Sequence, residues 1–221
     1  SGLGLAVGNR LKKAAGFHTV DAAPLVIGFT GPTGAGKTSA LRALERLGGL
    51  VLDCDAVYHD LLRTDSTLRD AIAGAFGQVF APDGTLDRQR LGTVVFSDPA
   101  ALDTLNRIIY ARLPRELLRR MDESSAPVVG VDAINLIESG LCDMCRRTVA
   151  VLAPAEQRVR RIMARDGIPE EYARLRVQAQ KDDGFYRTHC TDTLFNDCAD
   201  AAAFEDAAYA ALHRILKEER A

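Results

Sequence analysis

One octet constrains this 221-residue chain more than any other feature of it. Gly31-Pro32-Thr33-Gly34-Ala35-Gly36-Lys37-Thr38 satisfies the pattern G-x-x-x-x-G-K-[ST] and follows directly on the apolar run Leu25 to Thr30. A short apolar run stopped by a glycine reads as a buried strand. Leu41, Leu44 and Leu47 then recur at helical spacing until Gly48-Gly49, so the octet joins a strand to a helix. That context explains the residue types. Glycines let the backbone wrap so that several N–H groups face one anion, and the helix adds its positive end. Lys37 spans the outer phosphates of a nucleotide, and Thr38 offers a hydroxyl to Mg²⁺. Gly31, Gly34, Ala35, Gly36, Lys37, Thr38 and Ser39 are the expected nucleotide-binding residues, and Mg²⁺ the expected metal.

The remaining periodicity arranges itself around this P-loop. Leu50 to Leu52 reads as a second strand, followed by Asp53 and a short helix to about Leu62, which completes a β-α-β unit. From Asp65 to about Glu123 the pattern is helical without clear strands, broken by the turn residues Ala81-Pro82-Asp83-Gly84. Pro127 to Val131 and Thr148 to Leu152 are two more apolar strands, and Thr193 to Phe195 a short fifth. Gln157 to Asp166 and Pro169 to Asp183 read as charged helices, and Ala201 to Glu219 as a closing amphipathic one. Helical crossovers imply parallel strand order. The expected fold class is therefore α/β: a P-loop parallel sheet of about five strands flanked by helices, with a helical insertion. The expected division is an N-terminal extension over 1–23, a core from 24–64, 124–157 and 184–221, a helical insertion over 65–123 and a charged helical segment over 158–183.

Three further groups of residues suit phosphate chemistry. Asp132 ends the apolar strand Val128 to Val131, where a P-loop fold places a carboxylate beside Mg²⁺ or its water; the alternative role is a helix cap. Asp53 and Asp55 follow the second strand at the edge where ligands collect. Alternation puts them on one side if the strand runs that far, one ordering metal-bound water and the other accepting a proton from an attacking hydroxyl. A capping role competes for Asp53. Arg158, Arg161 and Arg165 recur three and four apart and share one helix face, either as a solvated stripe or as a lid that neutralises developing charge.

Composition removes other classes. Hydrophobic residues at 47% and charged residues at 26% are ordinary globular proportions, which argues against disorder and disulfide miniproteins. Lys+Arg 28 against Asp+Glu 30 gives no general attraction to nucleic acid or an anionic membrane. No run approaches the roughly 18 apolar residues of a membrane span. Arg10, Lys12 and Lys13 follow the most apolar part of the opening segment, the reverse of a secretory signal. The five cysteines are odd in number and scattered, which suits a reducing cytoplasm. The pair Cys142 and Cys145 with Cys190 and Cys198 lacks the short second spacing of a zinc site.

Read in order, a longer set becomes specific. It runs from Ile27-Gly28-Phe29-Thr30-Gly31 with the P-loop, through Asp53-Cys54-Asp55, to Phe76-Gly77 with Asp83-Gly84-Thr85-Leu86-Asp87-Arg88. Phe96, Leu105-Asn106, Asp132 with Leu136 and Glu138, Arg161 with Arg165-Asp166, Gln180, and Asp192 to Asn196 complete it. Over Leu25 to Asn196 this set resembles the dephospho-coenzyme A kinase family. The resemblance implies a parallel P-loop core, a helical coenzyme-binding domain and a lid. It implies transfer of the γ-phosphoryl of ATP to the ribose 3′-hydroxyl of dephospho-CoA, the last step of coenzyme A synthesis. Lys37, Asp55 and Arg161 would be catalytic, with Asp55 the base and Arg165 on the nucleotide. Asp55, His59, Tyr110 and Asn135 would meet the acceptor, and Thr38, Asp53 and Asp132 the metal, directly or through water.

The departures from the family pattern lie on the acceptor side. His59 stands where the family usually has an arginine, Tyr110-Ala111 where it has His-Pro, and Ile134-Asn135 within a segment that is usually Pro-Leu-Leu. A neutral imidazole cannot make a forked contact to phosphate. A divergent kinase for another nucleoside-like small acceptor and a nucleotide-binding regulatory NTPase are the competing readings. The expected partner is a small-molecule substrate, dephospho-CoA or a related compound, not nucleic acid or membrane; the regulatory reading would instead capture a partner in a nucleotide-dependent way.

Overall fold

The computed structural model describes residues 23–221; all but the last residue of the expected extension 1–23, with Arg10, Lys12 and Lys13, lies outside them. The described residues divide into two compact units, one built from 23–51 together with Ser125–Ala221, the other from Leu52–Ser124.

In the first unit, β1 (Leu25–Thr30) leads through the glycine-rich turn into α1 (Lys37–Arg46). The helix buries Ala40, Leu41, Ala43 and Leu44 and ends as the Gly49 N–H donates to the Leu44 carbonyl at 2.9 Å. The chain then enters β2 (Leu50–Asp53), and α2 (Cys54–Thr64), α3 (Ser66–Phe76), α4 (Arg88–Ser97) and α5 (Pro99–Asp122) follow before β3 (Val128–Asp132). A 3₁₀ turn over Leu141–Met144 precedes β4 (Arg147–Leu152). After it come α6 (Ala155–Asp166), α7 (Glu170–Gln178), α8 (Asp183–His189), β5 (Asp192–Phe195) and α9 (Ala201–Arg220). The five strands lie in the order β2-β3-β1-β4-β5, and β1 pairs in parallel with β3 and β4, as β4 does with β5.

Alternation along β4 shows how both faces of this sheet are covered. Val149 and Val151 join Ile27, Phe29, Leu44, Phe204, Leu212 and Ile215 in one core, so α1 and α9 close that face. Ala150 and Leu152 point the other way, onto Tyr186 of α8. Burial on both sides is why these strands are continuous apolar runs. At the far edge Arg147 makes a forked contact to Asp192, with Nε and Nη2 each 2.9 Å from a carboxylate oxygen, and reaches Glu219 of α9 at 3.1 Å.

The helix expected over Pro169 to Asp183 is shorter, and a separate helix begins at Asp183. α7 stops at Gln178, and α8 starts anew because the Asp182 carboxylate accepts the Phe185 N–H at 2.9 Å, an N-cap that breaks helical continuity. α6 and α7 share a small core of Val159, Ile162 and Ala173.

The second unit is helical, with a single antiparallel bridge between Phe80 and Leu86 closing the turn at Gly84. α5 is its spine: Leu105, Leu113, Leu117 and Met121 are buried along it, and α2, α3 and α4 pack against it. Asp65 both caps α3, through the Leu68 N–H at 3.0 Å, and takes a forked pair of 2.9 Å bonds from Arg112 of α5. Among the described residues no helix is long and apolar enough to cross a membrane.

Candidate active site

The P-loop begins where β1 leaves the sheet. Gly31 has φ 143°, and a Cβ there would lie 2.3 Å from the Val151 carbonyl oxygen, so only glycine lets β1 turn so close to β4. Gly36 is the N-cap of α1 in the left-handed region, φ 101°. Its carbonyl accepts the Ser39 N–H at 3.0 Å, but it has no side chain to cap the first turn, so the positive helix end is open to an anionic partner.

Lys37, the first residue of α1, reaches across to the end of β3, its Nζ 2.5 Å from Asp132 Oδ1. The β1–β3 register pairs Phe29 with Asp132, which brings the carboxylate level with the loop. Thr38 is exposed beside them, and Ser39 is buried. Beyond Asp132 the Thr30 hydroxyl donates to the Ile134 carbonyl at 3.0 Å, tying the end of β1 to the segment that carries half-buried Asn135.

Four side chains from later in the chain hold the loop. Arg158 is only 5% exposed; its Nε donates to the Thr33 carbonyl at 3.0 Å and its Nη2 to Gln180 Oε1 at 2.5 Å. Gln180 accepts the Thr33 N–H and donates to the Thr33 hydroxyl oxygen, both at 2.9 Å. Arg161 Nη1 donates to the Gly34 and Ala35 carbonyls at 3.1 and 3.3 Å, and its Nη2 to Gln157 at 2.9 Å. Asn196, which ends β5's run into the core, donates to the Ala35 carbonyl at 2.9 Å. Burial lowers the pKa of Arg158 and Arg161 from the ordinary guanidinium value. The arginine stripe is thus divided: two members grip the P-loop, while Arg165 makes a forked contact to its neighbour Asp166 at 2.7 and 3.0 Å.

In the helical unit, Asp53 Oδ1 accepts the Asp55 and Ala56 N–H groups at 2.9 and 3.3 Å and caps α2. The strand stops at Asp53 and the helix begins at Cys54, so the alternation expected to align Asp53 with Asp55 does not apply. Asp55 is exposed in the first helical turn, where the macrodipole favours a carboxylate. His59, one turn on, lies with Nδ1 3.2 Å and Nε2 3.4 Å from Arg88 Nη2. Tyr110 is half-buried on α5.

Sequence reasoning assigned no role to Gln180 or Asn196. For Asn196 the available signal was a polar amide directly after a strand; Gln180, just past the end of α7, has no such signal. A family profile described as dephospho-CoA kinase matches residues 25–201. The chain belongs to the dephospho-CoA kinase family. It is an ATP-using kinase of coenzyme A biosynthesis, and the regulatory-NTPase alternative falls away. It is 37% identical over 160 residues to the dephospho-CoA kinase of Thermobifida fusca, covering 71% of this chain and 79% of that one. Against the dephospho-CoA kinase of Moorella thermoacetica the identity is 31% over 201 residues, 88% and 95% of the two chains. The crystal structure of TT1252 from Thermus thermophilus superposes with a TM-score of 0.73 at 31% identity, covering 89% of this chain and 98% of that one. Shikimate kinase from Acinetobacter baumannii shares the fold at a TM-score of 0.51 and 20% identity, over 88% and 94%.

Proposed function

We propose that the protein transfers the γ-phosphoryl of ATP to the ribose 3′-hydroxyl of dephospho-CoA, with Lys37, Asp55 and Arg161 as its catalytic residues. The observation that carries the nucleotide side is the Lys37–Asp132 contact at the carboxyl ends of β1 and β3, which aims the lysine along the P-loop. Backbone N–H groups of Gly34 to Ser39 and the positive end of α1 cradle the phosphates, and Lys37 follows charge onto the β,γ-bridge as it breaks.

Thr38, Asp132 and Asp53 are hard oxygen donors, the set that suits Mg²⁺ bound jointly with phosphates and water. Such an ion, when bound, neutralises the outer phosphates. Asp55 accepts the proton of the attacking hydroxyl as the ribose oxygen bonds to the γ-phosphorus and ADP leaves. Arg161, beside the Gly34 and Ala35 carbonyls, offers positive charge to the equatorial oxygens, and Arg165 the outer edge of the nucleotide. The insertion 65–123 with His59 and Tyr110 takes the acceptor, Asn135 adds a polar contact to it, and 158–183 forms the lid. The reaction is expected in the cytoplasm.

Incubation with ATP, Mg²⁺ and dephospho-CoA tests this reading by mass. A coenzyme heavier by one phosphoryl group is expected, and an unchanged acceptor at ample enzyme overturns it.

A further inference from the structure

The helical unit holds one cation by an imidazole rather than by an anion or a carbonyl. Arg63, Arg107, Arg112, Arg119 and Arg120 of this unit each pair with a carboxylate, and Arg69 and Arg90 each donate to a backbone carbonyl. Among the described residues no carboxylate forms an ion pair with Arg88, whose Nη2 meets only the ring of His59, at 3.2 and 3.4 Å. A guanidinium can only donate, so the imidazole must accept through an unprotonated nitrogen. It holds Arg88 without cancelling its charge. Tyr58, whose ring is 5.5 Å from that of His59, adds no negative charge either, since burial pushes its phenol up.

Stability does not explain Arg88. It is the first residue of α4, whose first turn holds Arg88 and Arg90 and no acidic residue, against the macrodipole preference for anions at that end. Its location does suggest a use. His59 stands four residues after Asp55 on α2, so the two share a face with Cβ atoms about 5–6 Å apart. In a nucleotide acceptor the 3′-hydroxyl and the 5′-phosphate belong to one ribose and lie at a comparable separation.

We propose that Arg88, oriented by His59, binds the diphosphate of dephospho-CoA, and that the same helix face presents Asp55 to the ribose hydroxyl. The proposal rests on the acceptor assignment made above. His59, assigned above to the acceptor, acts on it through Arg88: it is the positioning residue and Arg88 the binding one.

Calorimetric titration of dephospho-CoA onto the full chain, with steady-state kinetics, tests it. Arg88→Gln should weaken dephospho-CoA binding and raise its KM by about 10- to 100-fold, the loss typical of a charge-assisted contact. The KM for ATP and kcat should stay within about twofold, as for an interaction made equally in ground and transition states. His59→Gln, whose amide oxygen also accepts, should keep the affinity, and His59→Phe should lose it as Arg88→Gln does. Unchanged dephospho-CoA affinity in Arg88→Gln, or a KM for ATP that rises in parallel, overturns the proposal while the function stands. A wild-type protein that transfers nothing to dephospho-CoA overturns the function reading and this proposal with it.

Discussion

The Asn196 side-chain amide donates to the Ala35 carbonyl at 2.9 Å and occupies the space that a Cβ on Gly36 would enter, 2.4 Å from it. The residue that leaves β5 therefore fixes the loop that follows β1. Asn196 is 3% exposed, and its removal leaves the Ala35 carbonyl only the longer Arg161 contact at 3.3 Å and takes the acceptor from the Cys198 N–H. Asn196→Ala should cost about 1–3 kcal/mol in thermal or denaturant unfolding and raise the KM for ATP. Gly36→Ala should impair nucleotide binding more, because the φ of 101° strains any side chain even if Asn196 moves. Equal ATP affinity in both variants would contradict this account.

Asp55→Asn keeps the shape of the α2 start and removes the proton acceptor. Transfer to dephospho-CoA should fall by at least about 100-fold, the usual contribution of a general base, while ATP binding measured by fluorescence or calorimetry is retained. Turnover near the wild-type rate would take Asp55 out of that role.

Arg158 and Arg161 differ in what their loss should do. Arg158 is buried and satisfies the Thr33 carbonyl and Gln180 together. Arg158→Met should lower unfolding stability by about 2 kcal/mol, whereas Arg161→Met should chiefly lower kcat. Melting curves and steady-state kinetics on the two variants separate these outcomes.

Glu116 on α5 gives the helical unit an acid sensitivity. Arg119 and Arg120 donate to it at 2.8 and 2.9 Å, and the Arg119 bond above all draws its pKa down from 4.5 to about 2. A folded value below the unfolded one means that the ionised pair stabilises fully above pH 4.5 and that this contribution is lost as pH falls toward 2. Melting temperature should drop across that window, and Glu116→Gln should flatten that part of the profile. The screening of exposed Arg119 keeps the effect small, and high salt should reduce it.

The sheet was legible because strands buried on both faces must be apolar throughout: Leu25 to Thr30 and Thr148 to Leu152 show no polar alternation to confuse them. The P-loop was legible because its backbone path demands glycine at fixed positions. The segment 158–183 was less so. Its charge pattern reads as exposed helices, the second running to Asp183, yet that helix stops at Gln178, and Arg158 is buried because it bonds a backbone carbonyl 125 residues away. The His59–Arg88 contact spans 29 residues and follows no helical or strand period, so no sequence pattern announces it.

All three polar groups of Thr33 are engaged by the segment that follows β4: its N–H and hydroxyl by Gln180, its carbonyl by Arg158. Gln180 also accepts from Arg158, so the segment after β4 clasps Thr33 through a joined pair of side chains rather than through separate contacts. Displacement of that pair would free the Thr33 carbonyl, N–H and hydroxyl together, which ties the shape of the P-loop to the seating of a segment more than 120 residues further along the chain.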